Sequence, residues 1–270
     1  MVILAAGRAT RYGGIKPLAR VGPAGESIVD YILRDAVRAG FTRVLVVINR
    51  LSGPSIIRHI KSLTLPKLQV EYVTQPVPNG TSAALECARP MLGDSHFVVA
   101  SADDILGHEV FAALLTRLQC APNHLVAGFA LENTTLGKKE INRAILSVDT
   151  STPAQPILLT VTERHRLSPA HPGFVARDEL EPALLPPDTL VAMSLWGFKP
   201  SIWDHVYRKR EPGIERLLTD VAAAALMAGQ RFEVLIRPEH PVSITHRSDL
   251  TPARKALLGS PVTPVGDPTR

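Results

Sequence analysis

Cysteine is scarce. The 270 residues hold two, Cys87 and Cys120, both in apolar, helix-like contexts without CxxC or Cys/His spacing. A disulfide framework and a zinc site are both disfavoured, and buried spectator thiols are expected. No uninterrupted apolar run approaches the roughly 20 residues needed to cross a bilayer, and the N-terminal apolar stretch stops at Gly7 without a cationic leader. A soluble, cytoplasmic protein with no membrane partner is expected. Aromatic residues make up only 5% of the chain, and the basic residues behind the net charge of +5 are scattered rather than interleaved with them. Nucleic acid is therefore not an expected partner, and a phosphorylated small substrate accounts for the excess charge equally well. A G-x-S-x-G elbow is missing and the nine histidines are dispersed, which leaves a Ser/His/Asp hydrolase little support. There is no internal repeat. A homo-oligomer stays open.

What is present is alternation. Strand-like runs at 1–6, 43–48, 68–73, 96–100 and 125–131 are separated by helix-period segments at 28–37, 54–63, 81–91 and 108–119. Five strands with crossover helices in 131 residues predict an α/β fold, with a Rossmann-like, doubly wound, mostly parallel sheet and helices on both faces. Later strand candidates at 143–148, 157–163 and 189–198 are less regular, and antiparallel additions make the sheet mixed. Residues 167–188, rich in proline and charge, read as a loop or lid over the site, with an ordinary surface excursion as the alternative. Ile214, Leu217, Leu218, Val221 and Ala225 recur at helical spacing, predicting a helix over 213–228 ended by Gly229. Residues 259–270, with three prolines and no apolar period, read as a frayed, flexible tail.

The sharpest feature is LAAGRATRYGGIKPL, residues 4–18, where a buried strand runs into a small-residue loop carrying Arg8, Arg11 and Lys16. Small residues let backbone N–H groups approach phosphate oxygens, while Arg11 and Lys16 can offset charge building on a triphosphate during transfer. The spacing is neither the Walker A GxxxxGK[ST] nor the dinucleotide GxGxxG, so ATPase and dehydrogenase readings lose support. A second segment, TQPVPNGTSAAL, follows a predicted strand and precedes a predicted helix, which puts Gln75, Gly80 and Thr81 at the same sheet edge as the first. A β-turn with a helix cap is its plainer explanation. In a third, HFVVASADDIL, a strand ends in Asp103 and Asp104, an arrangement suited to Mg²⁺ beside phosphates or, more plainly, to capping the next helix.

LAAG, a small-residue turn, an arginine and then Lys-Pro resembles the signature of the sugar-phosphate nucleotidylyltransferase superfamily, and the WGF-x-P form at 196–200 is similar to an uncharacterised subgroup of it. The resemblance covers about residues 1–258, strongest before 105 and weak after 205. It implies a GT-A-like nucleotidyltransferase fold across 1–258, divided into a nucleotide-binding half (1–131) and an acceptor, or sugar-phosphate, half (132–258). It implies that Arg11, Lys16 and Asp103 are catalytic, with Asp103 the Mg²⁺ ligand and Asp104 either orienting it or binding ribose. By the same resemblance Leu4, Ala6, Gly7, Arg8, Ala9 and Thr10 cradle the nucleotide, Gln75 and Gly80 contact the base, and Thr81 or Ser82 helps.

VTERHRL resembles the segment in which these enzymes use a glutamate and a following lysine, so Glu163 and Arg164 become acceptor contacts, with Ser194 of the strand TLVAMSLWGF beside them. A surface ion pair is the alternative for Glu163 and Arg164. Two departures stand out. Ala9 replaces the family's second glycine, and Ser243 falls where many relatives carry a late metal aspartate. The implied reaction moves an NMP unit from an NTP to a sugar 1-phosphate or related phosphorylated acceptor, releasing pyrophosphate with Mg²⁺. The alternatives are transfer to a non-sugar phosphate such as phosphocholine, a polyol phosphate or a molybdopterin-type acceptor, and a non-catalytic nucleotide- or sugar-phosphate-sensing homologue.

Overall fold

The computed structural model describes residues 1–137, 139–206 and 215–258. In chain order it runs β1 (Val2–Leu4), α1 (Ile28–Arg38), β2 (Arg43–Asn49), α2 (Gly53–Lys61), β3 (Gln69–Gln75), α3 (Thr81–Leu92), β4 (Phe97–Ser101), β5 (Asp104–Ile105), α4 (His108–Cys120) and β6 (His124–Ala130). There follow β7 (Ile141–Asp149), β8 (Ile157–Ala170), β9 (Gly173–Val175), β10 (Leu184–Leu185), β11 (Leu190–Phe198), α5 (Trp203–Val206), α6 (Leu218–Met227), β12 (Phe232–Arg237), β13 (Val242–Ser243) and α7 (Leu250–Leu257).

Eleven of these strands form one mixed sheet, ordered β10-β9-β8-β12-β6-β11-β4-β1-β2-β3, with β7 paired to β11 and β8. The run β4-β1-β2-β3 is parallel. β11 lies antiparallel between β4 and β6, so a strand from the second half of the chain sits among those of the first. The two halves read from the sequence therefore share a single sheet.

Helices cover both faces because the parallel strands are apolar at successive positions. Ile3, Val44, Val46 and Ile48 meet α1, α2, α4 and α7 on one side, while Val2, Leu4, Leu45 and Val47 meet α3, α5 and α6 on the other. The capping box that starts α1 closes when Ser27 N–H donates to Asp30 Oδ2 at 2.8 Å. His59 completes that cluster, but Ser27 Oγ and Asp30 Oδ1 both approach its Nε2, at 3.2 and 2.6 Å. No imidazole nitrogen stands between nucleophile and carboxylate, so this trio is a cap and not a hydrolytic triad.

Three expectations need correction. Cys87 is half-buried and Cys120 exposed, so the two thiols are not both buried. Residues 167–188 are no lid over the site: they contain the end of β8 and the whole of β9 and β10, and Leu167, Phe174, Ala176 and Leu185 bury against Leu131 and Val191. Short strands of two and three residues leave too few positions for a visible period. The late helix starts at Leu218, with extended Leu217 as its N-cap. Residues 213 and 214 of the expected helix, Ile214 included, lie outside the described residues, as does the expected tail at 259–270. No described helix is long and apolar enough to cross a membrane. β12, the β5–β13 ladder and α7 had no counterpart in the sequence reading.

Asp35, on the buried side of α1, has its carboxyl pushed from 3.8 up to about 7, chiefly by burial. The native state then holds a proton that the unfolded chain has released between those values, so stability falls as pH rises through that window. Asp35→Asn is expected to flatten this slope in denaturant titrations at several pH values. An unchanged slope would show that Asp35 is not its source.

Candidate active site

β1, β3 and β4 end on the same sheet edge, where parallel strands of an open α/β sheet leave a crevice. A cavity of 410 Å³ opens there. Leu4, Ala6, Gly7, Arg8, Ala9, Thr10, Arg11 and Lys16 line it. Gln75, Gly80 and Thr81 from the end of β3 and start of α3, and Asp103 just after β4, line the same cavity. Arg11, Lys16, Asp103, the 4–10 loop residues, Gln75, Gly80 and Thr81 therefore line one cavity, while Ser82 and Asp104 do not.

The local backbone explains the loop composition. Ala9 has φ 48° and Gly13 φ 72°, and the N–H groups of Tyr12 and Gly13 both donate to Ala9 O, at 3.0 and 2.9 Å. Alanine thus keeps the left-handed turn that glycine would adopt freely, at a cost of roughly 1–2 kcal/mol. Gly80 has φ 102°, and a Cβ there would lie 2.3 Å from Arg216 O. That close approach lets Ser82 N–H reach Arg216 O at 3.0 Å. Thr81 Oγ1 accepts from Leu218 N–H at 2.9 Å, which ties the start of α3 to α6. Gln75, almost fully buried, turns its amide nitrogen back to Gly80 O (3.2 Å) and Asn79 Oδ1 (3.3 Å).

The charged centre is a pair. Lys16 Nζ lies 2.7 Å from Asp103 Oδ2, and the Ser101 hydroxyl donates to Oδ1. Burial alone would raise the Asp103 carboxyl, but the Lys16 ammonium, the two hydrogen bonds and Arg143 outweigh it and hold the group below the usual carboxylate range. Asp104 goes the other way: burial, then the Asp103 charge, push it up, although Arg143 and a hydrogen bond from Ser243 oppose the shift. Ser243 pairs with Asp104 across the β5–β13 ladder. Ser243, expected from the sequence at the place of a late metal aspartate, thus presents a hydroxyl to Asp104.

A second cavity, of 170 Å³, adjoins the first and shares Thr81 and Leu217 with it. Asp104, Glu163 and Ser194 line it, with Asn142 and Arg143 from β7. Ser194 has φ 52°, inside the register shift of β11 between Ala192 and Trp196, a bulge that re-aims a side chain. Burial raises the Glu163 carboxyl. Arg164 is not in this cavity. Adjacent strand residues point to opposite faces, and Arg164 turns away to an ion pair with Asp178, Nε to Oδ2 at 2.8 Å, with both side chains buried.

Arg143 was missed by the sequence reading. It is buried, donating to Thr134 Oγ1 (3.1 Å), Thr134 O (2.7 Å) and Asn142 O (2.9 Å), and its charge faces Asp104, Asp103 and Glu163. Its one sequence signal is a cation at the start of the apolar run Ala144–Leu146.

Among the described residues no group of three or more His, Cys, Asp or Glu is placed to hold a metal. Mg²⁺ fits such a setting when one carboxylate is joined by substrate phosphates and water, and Asp103, on the larger cavity, is a carboxylate that could supply it.

The family model described as MobA-like NTP transferase domain matches residues 1–259. The chain belongs to that family. A low-salt glycan biosynthesis nucleotidyltransferase of Haloferax volcanii is 26% identical over 111 residues, which is 39% of this chain and 30% of that protein. The match thus spans under a third of the relative's length. A UDP-glucose pyrophosphorylase complexed with UDP-glucose superposes with a TM-score of 0.71 at 15% identity, over 95% of this chain and 97% of the other. The UTP-bound enzyme of that type from Acinetobacter baumannii gives 0.67 at 15%, over 94% and 91%. The fold is therefore the GT-A-like nucleotidyltransferase fold, and nucleotidyl transfer is the chemistry of the family.

Proposed function

We propose that the chain is a cytoplasmic, Mg²⁺-dependent nucleotidylyltransferase that moves an NMP unit from an NTP to a sugar 1-phosphate. The observation that carries this reading is the pair of adjoining cavities with Asp103 on one and Asp104 on the other. The larger would take the donor. Arg11 and Lys16 would meet its phosphates, the segment from Gln75 to Thr81 its base, and Asp103 the Mg²⁺ that neutralises phosphate charge.

The smaller cavity would take the acceptor against Asn142, Glu163 and Ser194. An oxygen of the acceptor phosphate bonds to the α-phosphorus as the bond to the leaving pyrophosphate breaks. That oxygen is already anionic, so no protein nucleophile is needed, and catalysis is positioning and charge neutralisation. Residues 1–258 act as one unit in this reading, 1–131 for the donor and 132–258 for the acceptor.

Two carboxylic acids, Asp104 and Glu163, in so small a cavity favour a second reading, a non-sugar phosphate carrying a cationic or polyhydroxyl head. Ser243, in place of the late aspartate, favours a nucleotide sensor without turnover. A matrix of NTPs against sugar 1-phosphates, polyol phosphates and phosphocholine, read by pyrophosphate release with Mg²⁺ and with chelator, separates the three. Mg²⁺-dependent release is expected with at least one sugar 1-phosphate. Release with phosphocholine or a polyol phosphate alone moves the acceptor to the second reading, and tight NTP binding with no release under any acceptor removes catalysis.

A further inference from the structure

The loop that carries Arg11 is gripped from the far end of the chain. Arg247, in the short turn before α7, donates from Nε to Tyr12 O at 3.1 Å and from a terminal nitrogen to Gly13 O at 2.8 Å. Its guanidinium also lies over the Tyr12 ring, 5.6 Å from the centroid, and a Cβ on Gly14 would sit 3.6 Å from the same group. A planar fork that meets two carbonyls and an aromatic face at once is something arginine can do and lysine cannot.

The turn that presents Arg247 is itself braced. Asp249 Oδ2 accepts from the N–H groups of Thr245 and His246, at 2.9 and 2.6 Å. Lys139, from the second half of the chain, donates to Ser248 in the same turn. Further along, within α7, Arg254 donates to Arg20 O at 3.0 Å, beyond the phosphate loop.

We propose that Arg247 is a positioning residue for the donor: it holds the Arg8–Gly14 loop in the conformation that receives the triphosphate. Peptides are planar and trans, so drawing the carbonyls of Tyr12 and Gly13 onto Arg247 turns the N–H groups of Gly13 and Gly14 to the opposite side. Gly13 N–H is found there, bonded to Ala9 O, within the turn whose left-handed Ala9 is otherwise strained. Thr245, two residues before Arg247, lines the donor cavity, so the strap and the cavity are continuous. Arg247 thereby offsets the conformational cost of Ala9 and orders Arg11 before nucleotide arrives.

The inference rests on the donor reading above, and two measurements keep them separate. Hydrogen exchange of residues 8–14 in the nucleotide-free chain tests the grip alone, and titration with a non-hydrolysable Mg²⁺–NTP analogue tests its consequence. Arg247→Ala is expected to speed exchange across 8–14 and to weaken analogue binding roughly tenfold, with kcat at saturating NTP changed less than KM. Arg247→Lys, which keeps charge and one contact, should fall between, and stands in if the alanine variant does not fold. Arg254→Ala is the control, with analogue affinity unchanged. Unaltered exchange and affinity in folded Arg247→Ala overturn the proposal. If the wild-type chain binds no NTP, the donor reading falls and Arg247 with it as a donor residue, whatever exchange shows of the grip.

Discussion

Replacing Lys16 with alanine is expected to slow pyrophosphate release by at least about a hundredfold, the loss seen when one preorganised donor to a developing anion is removed. The ammonium has two partners in sequence. Without nucleotide it neutralises Asp103 at 2.7 Å; with a triphosphate in the cavity, it stands where phosphate charge gathers. Removing it leaves the Asp103 carboxylate facing the phosphates uncompensated, so nucleotide affinity and rate fall together. Asp103→Asn tests the other partner: it keeps the size and a hydrogen-bonding oxygen for Lys16 but gives up the charge that would hold Mg²⁺. A comparable loss of rate is expected there.

Neither change should unfold the chain. The Asp103 side chain is one-third exposed, so solvent screens the pair and its contribution to stability is at most about 1 kcal/mol. Thermal melts and steady-state assays on both variants suffice. Turnover like wild type in both would remove the mechanism, and a collapse of folding in both would make the pair structural.

How far the sequence discloses this site depends on how local each part is. Arg11 and Lys16 sit in one contiguous loop after β1, and Gln75 and Asp103 end β3 and β4, so knowing that the strands run parallel is enough to bring them to one edge. Arg143 acts through partners across the fold, reaching Thr134, Asp104 and Glu163, and no short window holds that information. The insertion of β11 between β4 and β6 is equally non-local. It depends on pairing Trp196 with Val99 on one side and Val126 on the other. The segment at 167–188 misled for another reason: its burial rests on four apolar residues, Leu167, Phe174, Ala176 and Leu185, set among prolines and charges at irregular spacing. Glu163 and Arg164 are adjacent in one motif, so the resemblance places both at the acceptor. The period of two in β8 divides them, leaving Glu163 in the cavity and Arg164 on the reverse face.

That division sets up the largest stability effect expected in the chain. Arg164 donates to Asp178 at 2.8 Å and to the carbonyls of Leu180 and Pro182 at 2.7 and 3.1 Å, while Asp178 also accepts from His165 N–H at 2.7 Å. The two side chains retain 4% and 5% exposure, so water cannot replace a missing partner. Arg164→Ala would strand a buried carboxylate and two carbonyls, a loss of about 3–5 kcal/mol. For a chain of this size that lowers Tm by roughly 6–20 °C. The double change Arg164→Met with Asp178→Leu should recover only the part of the loss due to the uncompensated charge, because the Leu180 and Pro182 carbonyls and His165 N–H still lack partners.

Glu163→Gln, one residue away on the other face, should do the reverse: raise KM for the acceptor and leave Tm close to wild type. An Arg164→Ala chain with unchanged Tm and weakened acceptor binding would return Arg164 to the acceptor site. A chain that melts early yet keeps its acceptor KM at low temperature places the residue where the geometry has it, bracing β8 against the 178–182 turn.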